Sequence, residues 1–492
     1  MKLYYILAFG TLLCSQLCSS ASAAMASEEP YNSGIVIRWK DCKQRIDGFG
    51  IAQAGWAKEL FAFKNREQVM DKMFGKDGLR LNILRGEIFP HYWENETDKD
   101  FNLNDDIHIE LSDSDFINKS DDLLRRGQLW LTLKAKNKYH ISKLVFSTWS
   151  APAWMKSNGK VSNGRLKTEC YTDFANYLAA FYNAYKSKGI APYAISPSNE
   201  PGYAAPWNSS LRTADEMGKF ITSYLGPTFR KENIPAKIIF GENPLWAVYM
   251  PQLKMVSSKD FTDTILQNYP EAKDFNLIAA GHGYSLSPDI MPIKVDKEYL
   301  KTAILPFEMA EKADIPVWIT EISDVNPLDI SIHDGLKWAV TFHNYLTKAN
   351  VNAIIWWGGA MPTSNNESLI ILDKNRKDFL LSKRYDIFGN FSRYIPEEST
   401  RIQVTQSSGI PLLISAYKKD DEYTLVTINS SKQTIQTSLR LDGANINGLL
   451  KQYITNEDNS WTEMAIVQEN KEYYNLTIPP YSVVTFVGKV RL

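Results

Sequence analysis

Two glutamates close apolar runs in this chain. Glu200 ends Tyr193-Ala-Ile-Ser-Pro-Ser-Asn-Glu200, and Glu321 ends Pro316-Val-Trp-Ile-Thr-Glu321. A carboxylate at the end of a buried strand must be solvated, paired or shifted in pKa. Two such acids facing one site suit cleavage of a glycosidic bond. One protonates the leaving oxygen, and the other attacks the anomeric carbon from about 5–5.5 Å away. The acid must stay protonated near neutral pH, which burial and a neighbouring anion arrange.

Other strand ends add polar and aromatic residues: Arg85, Trp149, Asn199, Glu242, His282 with Tyr284, and Trp356 with Trp357. Asn199 is placed to hydrogen-bond a sugar 2-hydroxyl, a contact that strengthens in the transition state. Arg85 and Tyr284 are placed to orient the nucleophile and keep it ionised. Each has a plainer reading. Arg85 would make a structural ion pair, His282 would be a packed core histidine, and Glu242 would serve structure alone. Rim aromatics, with Trp154, Trp207 and Tyr284 as candidates, would stack on sugar faces.

The elements that must position these residues are legible as alternation. Eight β-rich runs are Ile46–Ala54, Leu79–Ile88, Leu144–Trp149, Tyr193–Ser196, Ile238–Gly241, Leu277–Tyr284, Val317–Glu321 and Ala353–Trp357. Amphipathic segments such as Tyr171–Lys188 and Ile332–Ala349 lie between them. In the first of these, Phe174, Leu178, Phe181 and Tyr185 recur at helical steps. The alternation predicts an α/β fold, a (β/α)8 TIM barrel over 46–390, with its site at the C-terminal strand ends. A doubly wound sheet is the alternative, but no glycine-rich phosphate loop follows the first run. From 396 to 492 short strands follow without helices: Leu412–Tyr417, Tyr423–Asn429, Thr434–Leu441, Leu450–Ile454 and Val483–Val487. They predict an antiparallel β-sandwich. The strand at 35–45 is expected to join it.

Composition narrows the partners. Of 492 residues, 55 are Lys or Arg and 56 are Asp or Glu, for a net charge of −1. That balance offers nothing to a nucleic-acid backbone. Thirteen Trp and 25 Tyr suit a carbohydrate partner. Residues 1–24 read as an export signal: Lys2, an apolar stretch from Leu3 to Leu13, and Ala21-Ser-Ala23 as the cleavage site. Cys14 and Cys18 raise the question of a lipid anchor, though neither follows the small residues such sites favour. Cys42 and Cys170 are expected as free thiols. The acidic stretch Glu94 to Asp122 fits no calcium-loop spacing, and no His/Cys cluster has zinc spacing. No cofactor, metal or transmembrane segment is expected, and the chain is expected to be an exported monomer.

Several segments together resemble glycoside hydrolase family 30. They are Asp47-Gly-Phe-Gly50, Phe146-Ser-Thr-Trp-Ser-Ala-Pro-Ala-Trp-Met-Lys156, Ser196-Pro-Ser-Asn-Glu-Pro201 and Trp318-Ile-Thr-Glu-Ile-Ser323. Lys383-Arg-Tyr385, Phe391-Ser-Arg-Tyr394 and Ile478-Pro-Pro-Tyr-Ser-Val-Val-Thr-Phe486 extend the match over the mature chain. The resemblance implies a barrel fused to a side β-sandwich and retaining hydrolysis of β-linked sugars. It places Glu200 at the acid/base position and Glu321 at the nucleophile. The family holds xylanases, glucosylceramidases, β-1,6-glucanases and β-1,6-galactanases, and Gly281-His-Gly-Tyr284 looks most like its xylanases. Glucuronoxylan-specific members carry an arginine soon after the eighth strand. Here Trp356-Trp-Gly-Gly-Ala-Met-Pro-Thr-Ser-Asn-Asn366 has no basic residue. The expectation is therefore an endo-β-1,4-xylanase that does not require glucuronate branches, unless a distant Arg165 or Arg376 reaches the site. Another β-glycosidase of the family, a glucosylceramidase-like or exo-acting enzyme included, is the runner-up. A non-catalytic carbohydrate-binding protein is the alternative from another class.

Overall fold

The computed structural model describes residues 34–93, 120–247, 256–284, 304–373, 375, 378–466 and 472–491. The leader over 1–24, with Cys14 and Cys18, lies outside the described residues, as do the acidic stretch from 94 to 119 and Arg376. No helix of the described residues is long and apolar enough to cross a membrane.

Each of the eight predicted runs contributes one strand to a closed barrel: β2 (Gly48–Ala52), β3 (Ile83–Glu87), β4 (Lys143–Ser147), β5 (Ala194–Ser196), β6 (Lys237–Gly241), β7 (Leu277–His282), β8 (Val317–Glu321) and β9 (Ala353–Trp356). Neighbours pair in parallel, and β2 pairs with β9 to close the ring. Side chains alternate between two layers. Ala52, Ile83, Val145, Ala194, Ile239, Ile278, Trp318, Ala353 and Ile355 fill the inside. Leu84, Phe146, Ile195, Phe240, Ile319, Ile354 and Trp356 face outward against the helices. Each fully buried Ile or Phe contributes roughly 1.5–3 kcal/mol, so both layers hold the ring. The helix Tyr171–Ser187 buries Phe174, Leu178, Phe181 and Tyr185 on one face, as its periodicity requires. The helix Ile332–Thr347 does the same with Leu336, Trp338, Phe342 and Leu346.

Three short strands absent from the sequence reading follow the barrel's last strand. These are β10 (Gly358–Met361), β11 (Ser368–Leu372) and β12 (Phe379–Leu381), which form a small sheet beside the rim. Among the described residues, the remaining strands form one nine-stranded sheet that begins with β1 (Ile35–Arg45). Its later members are β13 (Thr400–Gln406), β14 (Leu413–Lys419), β15 (Glu422–Asn429), β16 (Ile435–Asp442), β17 (Asn445–Thr455), β18 (Thr462–Ile466), β19 (Tyr474–Ile478) and β20 (Ser482–Arg491). β1 lies between β13, antiparallel, and β16, parallel. The sheet curls until distant strands meet, and the Tyr474 hydroxyl on β19 donates to the Gly448 carbonyl on β17 at 2.7 Å. One core, including Ile35, Trp39, Leu425, Leu450, Leu476 and Phe486, fills the space enclosed. The opposite face docks on the barrel helices. There Asn390 and Thr485 exchange two hydrogen bonds, at 3.1 and 3.0 Å.

Candidate active site

Strand parity builds the site from inside the barrel outward. In β3, Ile83 points inward and Leu84 outward, so Arg85 and Glu87 follow Ile83 into the interior. Arg85 is fully buried. Its Nη1 donates to Glu321 Oε1 at 2.7 Å, and its Nη2 donates to Asn199 Oδ1 at 2.7 Å and Glu242 Oε1 at 3.0 Å. The guanidinium also lies 4.7 Å from the centre of the Trp149 ring. Arg85 is therefore more than a strand-end ion pair: one cation joins residues from four strand ends.

Glu242 settles into a supporting place. Its Oε1 accepts from Arg85, and its Oε2 accepts from Ser147 at 2.9 Å and from Ser196. Burial alone would raise its pKa, but Arg85, His282 and the hydroxyls of Ser196 and Thr320 outweigh that and hold it below the usual carboxylate value. Glu200 and Glu242 both adopt left-handed backbone, with φ of 46° and 39°. A non-glycine residue there is strained and held by its surroundings. The Glu200 N–H donates to the Glu242 carbonyl at 3.1 Å, so the two turns clasp each other.

The two sequence-nominated glutamates meet in one cluster. One side-chain oxygen of each, with a ring nitrogen of His282, lies within 4.8 Å of the others. That close approach is nearer to the roughly 5–5.5 Å between the carboxyl groups of a retaining pair than to the roughly 6.5–9.5 Å of an inverting pair. Their surroundings differ. Glu321 accepts from Arg85 and, at 2.9 Å, from the Tyr284 hydroxyl. Glu200 has His282 Nδ1 at 3.0 Å and no bond to Arg85 among those of the described residues. Burial, with Glu242 adding to it against Arg85, pushes Glu200 up to about 8. Burial raises Glu321 as well, while His282, Arg85 and Tyr284 oppose it. Three buried acids share one arginine. The shared proton therefore belongs on Glu200, the acid without the ion pair, and the negative charge on Glu321. Burial lowers the His282 pKa, against the pull of Glu321 and Glu242. Burial raises the Tyr284 phenol well above its usual value, so it remains a donor. His282 is no bystander in the core, because its Nδ1 also lies 3.4 Å from Glu321. The same three side chains have a spacing that could take a cation, but the Arg85 guanidinium already supplies positive charge to Glu321.

The aromatic nominees divide. Trp149 and Trp357 stand together, ring centres 6.1 Å apart, and Trp357 Nε1 donates to Glu367 Oε1 at 2.7 Å. Trp154 is half-buried, with Nε1 donating to the Trp93 carbonyl at 3.1 Å, and packs on the outer core. Trp356 is a correction. It is wholly buried in the layer between barrel and helices, with its ring 4.6 Å from that of Trp338. Ala353 and Ile355 take the inward positions of β9, so Trp356 must face out. Trp207 is exposed, beside Tyr203. Arg165 makes a surface ion pair with Glu216 at 2.6 Å. Cys42 and Cys170 are both free thiols.

Sequence reasoning passed over Ser147, Ser196, Glu87 and Glu367. The two serines precede the strand-end residues by a step or two and share their inward parity, a signal that was present. Glu87, two residues past Arg85, carried the same signal. Glu367 lies between β10 and β11 and had none.

Comparison with known proteins bears on the fold and the family. The profile of O-glycosyl hydrolase family 30 matches residues 32–371. The chain is similar to the glucuronoxylanase XynC of Bacillus subtilis (strain 168), 24% identical over 97% of this chain and 96% of that protein. It is similar to the putative glucosylceramidase 3 of Caenorhabditis elegans, 25% identical over 77% of this chain and 72% of that one. In fold it is similar to the catalytic domain of the family 30 xylanase C from Talaromyces cellulolyticus, with a TM-score of 0.75, 21% identity, and coverage of 93% of this chain and all of that one. A profile match over most of the chain, on a barrel with paired glutamates at its rim, places this protein in O-glycosyl hydrolase family 30, whose members hydrolyse glycosides with retention.

Proposed function

We propose that the protein is an exported endo-β-1,4-xylanase that does not require glucuronate branches, with Glu200 as acid/base and Glu321 as nucleophile. The observation that carries the catalytic part is the short Glu200–Glu321 separation combined with their opposite surroundings. Glu321 attacks the anomeric carbon while Glu200 protonates the leaving oxygen. Glu200 then removes a proton from the water that hydrolyses the glycosyl-enzyme. Arg85 and Tyr284 hold the nucleophile ionised and oriented. Asn199 commits its Oδ1 to Arg85, which leaves its amide to donate to a 2-hydroxyl.

The xylan reading rests on the end-to-end similarity to a glucuronoxylanase and on the Trp149–Trp357 pair as a stacking wall. Independence from glucuronate rests on the segment after β9. It carries no basic residue, and Glu367 beside Trp357 adds a negative charge that disfavours a uronate. Arg165 is occupied by Glu216. Export rests on the leader at 1–24. A glucosylceramidase-like activity is the second reading, favoured by the similarity to the nematode protein.

The test is purified enzyme against linear xylan, glucuronoxylan, arabinoxylan, β-1,6-glucan, β-1,6-galactan and glucosylceramide, with product sizing. Linear and arabinose-decorated xylan should be cut about as fast as glucuronoxylan, since no charge-assisted contact worth about 1.5–3 kcal/mol is made to the uronate. Products that all carry a uronate at one fixed position, with linear xylan left intact, would overturn the specificity. Cleavage of glucosylceramide or a β-1,6-glycan alone would overturn the xylan reading.

A further inference from the structure

Glu87 is a buried acid of the barrel interior that the chemistry above does not use. It stands one inward step beyond Arg85 on β3, toward the rim, and is 8% exposed. Its backbone is held on both sides: Gln128 Oε1 accepts from the Glu87 N–H at 2.7 Å, and Gln128 Nε2 donates to the Glu87 carbonyl at 2.8 Å. The Asn208 side chain lies near enough to draw its carboxyl's pKa down against burial. Asn208 sits on the loop that follows Glu200, half-buried and next to the exposed Trp207. That loop is fixed in place. The Ser209 N–H donates to the Val161 carbonyl at 3.0 Å, and Lys156 Nζ donates to the Ser209 carbonyl at 2.7 Å.

We propose that Glu87 and Asn208, edged by Trp207, form a recognition point for sugar hydroxyls on the leaving-group side of the cleft. The side follows from Glu200, and this step rests on Glu200 being the acid. An acid that protonates the leaving oxygen must face the leaving sugar, and the loop running on from Glu200 carries Asn208 and Trp207 to that side. The chemistry follows from the pair. A carboxyl and a carboxamide near each other supply both acceptors and donors, as adjacent ring hydroxyls require. A neighbouring indole supplies a flat apolar face. Both polar groups are anchored through their backbones before a ligand arrives, so little ordering is lost on binding. Burial raises the Glu87 carboxyl to about 7, so it also offers a proton near neutrality.

The leaving-group side is also where a sugar acceptor sits when it takes the glycosyl group from Glu321 in place of water. That allows a test that reads only this side. An aryl β-xylobioside forms the glycosyl-enzyme, and the products are partitioned among water, xylobiose and methanol. Methanol has a single hydroxyl and samples the same intermediate without needing the pair. In Glu87→Gln and Asn208→Ala, transfer to xylobiose relative to water should fall about tenfold, while transfer to methanol relative to water keeps its wild-type ratio. Because these are ratios from one intermediate, a partly destabilised variant still gives a valid answer.

An unchanged xylobiose ratio in both variants overturns the proposal. So does a parallel fall in the xylobiose and methanol ratios, because the residues would then act on the intermediate and not on the acceptor. If wild-type enzyme releases no phenol from aryl β-xylosides, β-glucosides or β-galactosides, the proposed function fails and this site with it. Activity with an unmoved partition sinks only the hydroxyl site.

Discussion

The two ends of the barrel bury charge in opposite proportions. At the N-terminal end, buried Asp47 lies among several cations, which oppose but do not overcome the rise that burial imposes on its pKa. Asp47 accepts from Trp318 Nε1 at 2.8 Å, lies 3.5 Å from Arg45, and feels Lys143 and Lys237. Trp318 stacks on Tyr193 with ring centres 6.1 Å apart, and Lys143 lies 5.6 Å from the centre of the Tyr193 ring. Lys143 in turn pairs with Glu397 at the junction with the nine-stranded sheet. At the C-terminal end, Glu200, Glu242 and Glu321 gather around Arg85, with His282 beside them. The first arrangement gives its acid a hydrogen bond from Trp318 and several nearby cations. The second leaves one acid without an ion pair, so that acid keeps its proton. A surplus of buried acid over cation is costly for stability, and at this end it suits the proton transfer proposed for Glu200.

Replacing members at each end should separate the two roles. The largest effect expected is from Glu321→Ala, which should lower turnover by roughly 10⁴-fold or more with the fold intact by circular dichroism. Azide should restore part of the activity and give the inverted product, because the lost carboxylate leaves room for a small anion opposite the leaving group. Wild-type turnover in this variant would end the nucleophile assignment. Next is Arg85→Met, which strands Glu242 and Glu321 without their cation. It should cost about 3–5 kcal/mol in denaturant unfolding, and a loss below about 1 kcal/mol would show that the acids simply take up protons.

The pH response is also specific to the upper end. The folded-state pKa of Glu200 is raised from 4.5 to about 8. Between those values the folded chain holds a proton that the unfolded chain has released, so stability should fall as pH rises through that window. Activity should fall through about pH 8 as the acid is lost. Glu200→Gln should flatten the stability slope, and it should slow substrates with poor leaving groups far more than aryl glycosides. Equal loss on both substrates would count against Glu200 as the acid.

Smaller effects should follow at the edges. Glu367→Ala frees the Trp357 indole, so KM for xylan should rise by roughly three- to tenfold with kcat nearly unchanged. A fall in kcat of the same size would place Glu367 in the chemistry. Asp47→Asn should cost only about 1 kcal/mol of stability, since an amide still accepts from Trp318, and should leave turnover alone. A large loss of activity there would remove the distinction between the two ends.

Much of this was legible in the residues. Glu200, Glu321, Arg85 and His282 stood at the ends of apolar runs, where a barrel must place its chemistry, and the helical face at Phe174, Leu178, Phe181 and Tyr185 was plain. β10 was not, because Gly358-Gly-Ala-Met361 has little β character, whereas Leu369-Ile-Ile-Leu372 of β11 had the composition of a strand and was passed over. β13 and β19 carried an alternation that was passed over, with Ile402 and Val404 in one and Tyr474, Leu476 and Ile478 in the other, while β18 is defined by its pairing with β17.

The sequence by itself determined which residues end the strands, because hydrophobic runs and breaks are local properties. It also determined that two of those residues are glutamates, as the proposed acid and nucleophile require. Only the tertiary structure decided which way each side chain faces. Parallel barrel strands are apolar on both faces, so nothing local distinguishes Trp356, turned out against Trp338, from Trp357, turned in against Trp149. The same holds for Glu321. The pairing of β7 with β8 shifts register between Gly281 and His282, and Glu321 comes level with His282. The inequality of the two acids was likewise a tertiary outcome. It depends on which carboxylates Arg85, arriving from β3, can reach across the barrel.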